Sequence, residues 1–237
     1  EDLFFLSNGH ISPVLYSVLS RRGYFNVSEL ATFRKIDSRL QGHPVMGKLP
    51  GVEMSSGSLG IGLSFSVGQA LAARMDGSSY RIYCLLSDGD CNEGSTWEAA
   101  LAANHHQLDN LVAIVDYNHI QNDGFSDYSR VPDDGNIEDR VGGWVLSSGY
   151  TANIMSADPM DEKWKSFGWN VIQADGHDFS SLQSAFKEAN ESSACPTVII
   201  ANTIKGKGVS FMENNPAFHG KAASSAQLKQ ALSELED

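Results

Sequence analysis

The sequence has no excess of basic residues and no long apolar run, and each shortage excludes a class of protein. Lys and Arg number 17 against 29 Asp and Glu, so the formal net charge is −12. That balance disfavours nucleic acid or an anionic membrane surface as the main partner, because both require a basic face. No apolar run reaches the roughly 18 residues of a membrane span. The opening residues, EDLFFLSNGH, also lack the basic region of a signal peptide.

Cysteine is scarce as well. Cys84, Cys91 and Cys195 are widely spaced and form no C-x-x-C pair. We therefore expect reduced thiols in a cytoplasmic protein, with no disulfide framework and no zinc site. A phosphorylated substrate stays possible despite the negative charge, since it needs only a local cluster of donors.

Strand-length apolar runs recur along the 237 residues, in a composition that is 41% hydrophobic and ordinary for a globular protein. The predicted strands are Arg81–Leu86, Leu111–Asp116, Trp169–Ala174 and Thr197–Asn202. Helical patterns at Glu93–Asn104 and around Ser181–Ala189 lie between them, which makes βαβ units with parallel strands. The sequence therefore predicts an α/β fold, a doubly wound and mostly parallel sheet with helices on both faces.

The other segments have weaker signals. Residues before Asn8-Gly9-His10 suggest a loop, followed by a helix that Ser12 caps and Gly23 ends. The remaining predictions are a short helix from Ser28 towards Arg39, a loop over Gly51–Gly62, a helix through Val67 and Ala73, long loops with one helical turn over Asp123–Asp161, and a helix over Ser224–Glu236.

Polar turns follow two consecutive predicted strands, with Asp88-Gly89 after the first and Asn118 after the second. The carboxyl ends of parallel strands meet at one edge of a sheet, so these side chains are expected to converge. Carboxylate, carboxamide and main-chain oxygens suit Mg²⁺ or Ca²⁺, and Gly89 lets the backbone approach a diphosphate. An isolated Asp-Gly is usually an ordinary turn, and for this pair a turn and a metal site both stay open.

A resemblance to a known family extends over nearly the whole chain. The stretch SDGDCNEGSTWEAALAANHHQLDNLVAIVDYNHIQNDG resembles the thiamine diphosphate-binding motif, and its Asn-Glu-Gly and Glu-Ala-Ala are similar to the transketolase version. Four further segments match that family in order: LSNGHISPVLYSVL, QGHPVMGKLPGVEMSSGSLGIG, FGWNVIQADGHD and TIKGKGVSFMENNPAFHGK. The resemblance implies that residues 1–237 form the diphosphate-binding domain, with thiamine diphosphate and Mg²⁺ (or Ca²⁺) as cofactors.

The resemblance also implies roles for individual residues. Asp88 and Asn118 would hold the metal through their side chains and Ile120 through its carbonyl, with Gly89 against the diphosphate. The matched residues that line the aminopyrimidine ring are Gly57, Ser58 and Leu59.

Three histidines, His10, His43 and His219, match those that face the diphosphate and the reacting carbonyl. Cleavage of a ketose substrate requires a base and a hydrogen-bond donor, and imidazole can serve as either near pH 7.

Glu93 and Glu98 match glutamates that are buried where two subunits meet and that connect the paired active sites. The other histidines are His105, His106 and His119, expected to be ordinary hydrogen-bonding residues, and His177, left open.

The chain departs from the family pattern at several places. Ser87 replaces the first Gly of the motif, Ser58 a Pro, Ile61 a Gln and Phe218 a Trp. The sequence also begins downstream of an early family motif that carries another histidine.

The function implied by the resemblance is transfer of a two-carbon ketol unit from a ketose (phosphate) to an aldose. The sequence resembles only the diphosphate-binding half, so we expect a split transketolase with a separate C-terminal subunit carrying the pyrimidine-binding domain. A fragment of a longer transketolase would have the same sequence, and both interpretations stay open. Self-association through the diphosphate domains and a heterotetramer are expected too. The alternatives are the α subunit of a 2-oxoacid dehydrogenase, deoxyxylulose phosphate synthase, a non-catalytic cofactor-binding subunit, and a plain nucleotide-binding Rossmann domain.

Overall fold

The computed structural model describes residues 2–122, 124–126, 137–140, 143–146, 155–192 and 194–236. In chain order the strands are β1 (Leu3–Leu6), β2 (Ile82–Ser87), β3 (Leu111–Tyr117), β4 (Ile120–Gln121), β5 (Gly124–Phe125), β6 (Ile137–Arg140), β7 (Gly143–Leu146), β8 (Asn170–Asp175) and β9 (Thr197–Asn202). The α-helices are α1 (Ser12–Arg21), α2 (Ile61–Met75), α3 (Gly94–His105), α4 (Met160–Ser166), α5 (Phe179–Glu191) and α6 (Ser225–Glu234).

A five-stranded sheet in the order β1-β2-β3-β9-β8 forms the centre, and all its neighbouring strands are parallel. Side chains alternate between its faces, so each strand contributes to two cores. On one face Ile82 and Ala113 pack with α2, α3 and α4, and on the other Ile114 and Ile199 pack with α5. The predicted parallel α/β sheet with helices on both faces is confirmed.

The four predicted strands and the helices α2, α3, α5 and α6 form close to their expected bounds. The predicted opening loop is wrong for β1, which pairs with β2 from Leu3 opposite Ile82 to Leu6 opposite Leu85. A four-residue edge strand is too short to show a period in the sequence, and its partner lies some eighty residues along the chain.

Two helix predictions need correction. Ser12 is the first residue of α1 and not its cap, because its hydroxyl donates to the carbonyl of Gly42 at 2.7 Å. The helix expected from Ser28 is only a 3₁₀ segment over Val27–Thr32. Positive φ angles at Arg34 (57°) and Asp37 (63°) are incompatible with its continuation.

The predicted loop region Asp123–Asp161 lies partly outside the described residues. Within the part that is described, β6 and β7 form an antiparallel pair, with Ile137 opposite Leu146, so these residues are strand and not loop. The single expected helical turn corresponds to the start of α4 at Met160.

Cys84, Cys91 and Cys195 form no disulfide with one another, as predicted. Across the ranges that the structure describes, no helix is both long and apolar enough to cross a membrane.

Candidate active site

The site lies at the carboxyl edge of the sheet, where β2 and β3 end side by side. Ser87 is opposite Asp116 in the parallel register, so the turns that follow the two strands are adjacent. Asp88 comes from the first turn and Asn118 from the second, and both are buried. The predicted convergence of these two side chains is therefore observed.

Asp88 is held by main-chain donors from both turns. Its Oδ1 accepts from the amide of Gly89 at 2.8 Å, and its Oδ2 accepts from the amide of His119 at 2.9 Å. Burial and the negative charge of Asp116 raise the pKa of Asp88 to about 7, although both hydrogen bonds and Lys205 oppose that rise. In the chain alone, burial and Asp116 outweigh the opposing effect of Lys205 and disfavour the charged form of Asp88.

The second turn is built around His119, whose φ of 61° is left-handed and makes the chain reverse sharply. The Asn118 carboxamide accepts from the amide of Ile120 at 2.9 Å and donates to Asp116 Oδ2 at 3.3 Å. These bonds fix the carboxamide of Asn118 and the backbone of Ile120 at one wall of a cleft.

The cleft has a volume of about 200 Å³. Its lining includes seven of the residues predicted from the sequence: His10, Leu59, Asp88, Gly89, Asn118, Ile120 and His219. It also includes Asn8, Ile11, Ser87, Asp116, Gln121, Asn122 and Lys205. Five predicted residues do not line it: His43, Gly57, Ser58, Glu93 and Glu98. Within the described residues no three His, Cys, Asp or Glu side chains form a metal-binding cluster, so the predicted ion depends on amide and main-chain oxygens as well.

Two of the predicted histidines meet in this cleft. The rings of His10 and His219 stack at a centroid distance of 5.2 Å and an interplanar angle of 27°. Burial lowers the pKa of His10, and the nearby charge of Lys205 lowers it further, which favours the neutral imidazole. A neutral ring can accept a proton near pH 7.

His43 lies behind the loop that was expected to bind the aminopyrimidine. A Cβ added to Gly57, whose φ is 146°, would come within 3.0 Å of the His43 ring. Only glycine allows this close approach. His43 is thus next to the loop without lining the cleft itself.

Glu93 and Glu98 are exposed and do not line the cleft. Glu93 occupies the N-cap position of α3 without a side-chain capping bond, and Glu98 lies one turn further along the helix. In the single chain they are available to another molecule, and their role at a subunit contact stays a prediction.

Asp90 is a site residue that the sequence analysis did not identify. This fully buried carboxylate accepts four hydrogen bonds: at Oδ1 from the Ser7 hydroxyl (2.6 Å) and the Gly60 amide (2.7 Å), and at Oδ2 from the Ser87 amide (2.8 Å) and hydroxyl (2.9 Å). It ties the ends of β1 and β2 to the loop before α2. The sequence feature that could have identified Asp90 is its position as the second acidic residue in Ser87-Asp88-Gly89-Asp90.

Lys205 and Asp116 also line the cleft and were not identified as site residues, although each lies in a segment quoted above. The hydroxyl of Thr203 donates to Asp116 Oδ1, and burial lowers the pKa of Lys205 against the opposing effect of Asp116 and Asp88. His177, left open by the sequence, has a structural contact: its Nε2 accepts from the amide of Ile204 at 2.7 Å.

Taken together, a parallel sheet and a polar cleft at its carboxyl edge place this chain among the α/β cofactor-binding domains. Residues 1–147 and 144–235 match the family model described as "Transketolase, thiamine diphosphate binding domain". The chain therefore belongs to the transketolase family.

Relatives that are separate subunits match it over its full length. One of them, a subunit of apulose-4-phosphate transketolase from Actinobacillus succinogenes, is 39% identical over 237 residues, which cover 100% of this chain and 76% of that protein. A 6-deoxy-6-sulfo-D-fructose transketolase subunit from a Clostridium species is 37% identical, and 77% of its length is covered.

Longer transketolases match over about a third of their own length. Human transketolase is 37% identical over 236 residues, 99% of this chain and 33% of that protein. The crystal structure of Campylobacter jejuni transketolase superimposes with a TM-score of 0.81 at 29% identity, covering 100% of this chain and 34% of that one.

Proposed function

We propose that this chain provides the diphosphate and metal site of a transketolase that transfers a two-carbon ketol unit from a ketose or ketose phosphate to an aldose. The observation that carries the proposal is the convergence of Asp88, Gly89, Asn118 and Ile120 in one cleft of a transketolase-family domain. An enzyme of this kind is completed by a second chain that supplies the pyrimidine-binding domain.

The residues present fit a divalent cation. Asp88 offers a carboxylate, Asn118 a carboxamide and Ile120 a carbonyl oxygen, which together are hard oxygen ligands of the kind Mg²⁺ or Ca²⁺ prefers. The raised pKa of Asp88 indicates that its charged form lacks compensation, since burial and Asp116 both disfavour it. A cation held by these three residues would offset the buried negative charge and would help bind the diphosphate.

The residues also fit the diphosphate group. Lys205 brings a positive charge to the cleft opposite Asp88 and Asp116. A Cβ added to Gly89 would be in van der Waals contact with the Leu59 side chain at 3.5 Å. Glycine leaves that space free for the diphosphate. Leu59 supplies the apolar contact expected for the cofactor rings.

When bound, thiamine diphosphate supplies the carbanion and the electron sink for cleavage of the ketose. The chain's own contribution is the pair His10 and His219, stacked in the same cleft. The neutral ring of His10 accepts a proton from a substrate hydroxyl, and an imidazole N–H donates to a developing oxyanion. His43 packs against Gly57 and stabilises that loop.

The proposal of a partner chain rests on the relatives named as subunits, which match this chain from end to end. In such an assembly two copies of each chain form a heterotetramer, with the diphosphate domains in contact. The two relatives are named for different sugars, so the sugar is left at the level of a ketose, phosphorylated or not. The cytoplasmic location inferred from the cysteines stays a prediction.

The test is a calorimetric titration of thiamine diphosphate with Mg²⁺ into the wild-type chain. We expect binding that requires the metal and is lost in Asp88→Ala and Asn118→Ala. Binding that needs no metal, or that survives both substitutions, would overturn the proposed site.

Turnover assays then separate the enzyme classes. With the partner chain present, ketose donors should be consumed and pyruvate should not, because a 2-oxoacid dehydrogenase α subunit would require the reverse. A complex that binds the cofactor but converts neither substrate would instead be a non-catalytic cofactor-binding assembly.

A further inference from the structure

Asn8 follows β1 and enters the cleft, and its side chain makes no hydrogen bond within the described residues. It is 1% exposed, yet neither Nδ2 nor Oδ1 makes a hydrogen bond with any described residue. It occupies the N-cap position of the 3₁₀ turn Gly9–Ile11 without forming a capping bond. Asn8 lines the same cleft as Asp88 and Asn118.

The backbone around Asn8 is fixed on both sides. The hydroxyl of Ser7 donates to Asp90, and an added Cβ on Gly9 would lie 2.6 Å from the Ser56 hydroxyl and 2.8 Å from the Gly57 amide. The position of Asn8 is therefore determined by contacts that do not involve its own carboxamide. Burying an unpaired amide group is unfavourable, so an apolar residue of the same size would make the unliganded fold more stable.

Gln121 provides a second, independent observation across the cleft. Its Nε2 is buried and has no hydrogen-bond partner among the described residues. Its carboxamide carbon lies 4.0 Å from where a Cβ on Gly89 would be, so it borders the turn assigned to the diphosphate. The cleft thus contains two amide groups whose N–H donors are unused.

We propose that Asn8 and Gln121 are diphosphate-binding residues, a step that rests on the proposed function above. Their side-chain N–H groups donate to phosphate oxygens, while Oδ1 of Asn8 accepts from a hydroxyl or water bound beside them. Amides are suited to this place because Asp88 and Asp116 already bring two acidic groups to the cleft, and Lys205 is the basic side chain among its lining residues. Neutral donors bind the anion without a further buried charge.

The experiment measures two properties of the full chain for Asn8→Leu and Asn8→Asp. One is the unfolding midpoint without ligand, and the other is the Kd for thiamine diphosphate at saturating Mg²⁺. For Asn8→Leu we expect an unliganded midpoint equal to or above that of wild type, and a Kd raised about 10-fold to 100-fold, the effect of losing one hydrogen bond to a charged group. Asn8→Asp should raise the Kd further, because a carboxylate repels the diphosphate. Gln121→Leu should weaken binding in the same direction.

Asn110→Leu is the matched control. Asn110 also has an unpartnered Oδ1, but its Nδ2 donates to the carbonyl of Ala70 at 3.1 Å, and it precedes β3 at the opposite edge of the sheet. This variant should lose stability and keep the wild-type Kd.

A lower unliganded midpoint with unchanged Kd in Asn8→Leu would make Asn8 a structural residue and overturn the inference. Unchanged Kd in both Asn8 variants, with metal-dependent binding by wild type, would overturn it while the proposed function stands. Loss of metal-dependent binding in the wild-type chain would defeat the proposed function itself.

Discussion

At the scale of single residues, Asp88 couples folding to metal binding through its ionisation. Its pKa of about 7 in the folded chain lies above the ordinary 3.8, so the folded chain binds more protons than the unfolded chain between those values. Without metal, Asp88 therefore destabilises the fold above pH 7, and this effect is lost as the pH falls towards 4. Urea unfolding in EDTA should show the stability gap between Asp88→Asn and wild type shifting in favour of wild type by up to about 1.4 kcal/mol for each pH unit below 7, because the wild-type carboxyl becomes protonated. The amide also leaves the N–H of Gly89 or of His119 without an acceptor, at a cost that does not depend on pH.

Saturating Mg²⁺ and thiamine diphosphate should stabilise wild type more than Asp88→Asn at pH 8, because the wild-type carboxylate then gains a cation and the amide does not. A gap that is constant from pH 5 to pH 8 would contradict the assigned cause of the raised pKa.

Asp90 is the residue whose loss should disturb the site most without touching a ligand. Asp90→Asn replaces one carboxylate oxygen with an NH₂ group facing a donor from Ser7, Gly60 or Ser87, so at least one buried donor loses its acceptor. We expect a loss of about 2–4 kcal/mol in the free energy of unfolding by urea titration. Asp76→Asn, at an exposed position, is the control and should stay within about 0.5 kcal/mol of wild type. Equal effects of the two substitutions would mean that the four bonds of Asp90 contribute nothing measurable.

At the scale of secondary-structure elements, Gly60 sets where α2 begins relative to α3. It is the N-cap residue of α2 with φ of 79°, and a Cβ there would lie 2.5 Å from both the Glu93 Cβ and the Ser95 hydroxyl. Gly60→Ala should therefore displace the 57–60 loop, lowering the unfolding midpoint and weakening thiamine diphosphate binding. Gly77→Ala isolates the backbone effect, because Gly77 has φ of 65° with no atom within 4 Å of an added Cβ, and it should cost only about 1 kcal/mol.

The difference between those two variants measures the contact between the loop and α3. Should both weaken the fold equally and leave cofactor affinity intact, the packing of Gly60 against α3 would have no part in the site.

The same elements show what the sequence could and could not predict. The strands β2, β3 and β9 are mostly apolar runs and β8 has a shorter apolar stretch, so their pattern identified the sheet, and the parallel arrangement of β2 and β3 then placed Asp88 beside Asn118. β1 was missed because four edge residues have no period. Asp90 was missed because its donors, Ser7 and Gly60, come from distant segments that only the folded chain brings together. The proposed roles of Asn8 and Gln121 depend on which side-chain amides lack a hydrogen-bond partner after folding, and the sequence alone does not show this.

At the scale of the whole molecule, α2 and α3 carry exposed apolar side chains that a subunit contact would bury. Leu101 is 58% exposed one turn beyond Glu98, and Ile61 is 51% exposed at the start of α2, beside the Gly60–Glu93 contact. These exposed apolar side chains lie on two helices that pack together, α2 and α3, and they fit the predicted self-association through the diphosphate domains, because burial of apolar area drives association.

Leu101→Glu should therefore shift the chain towards the monomer in sedimentation velocity at micromolar concentration, since it places a charge in the apolar contact without altering the sheet. Leu228→Glu is the matched control: Leu228 is 53% exposed on a different helix, α6, and the substitution should leave the mass distribution unchanged. If Leu101→Glu sedimented like wild type, α3 would not form the contact. Glu93 and Glu98 would then have no place at a subunit boundary, and the coupling of paired active sites would need another route.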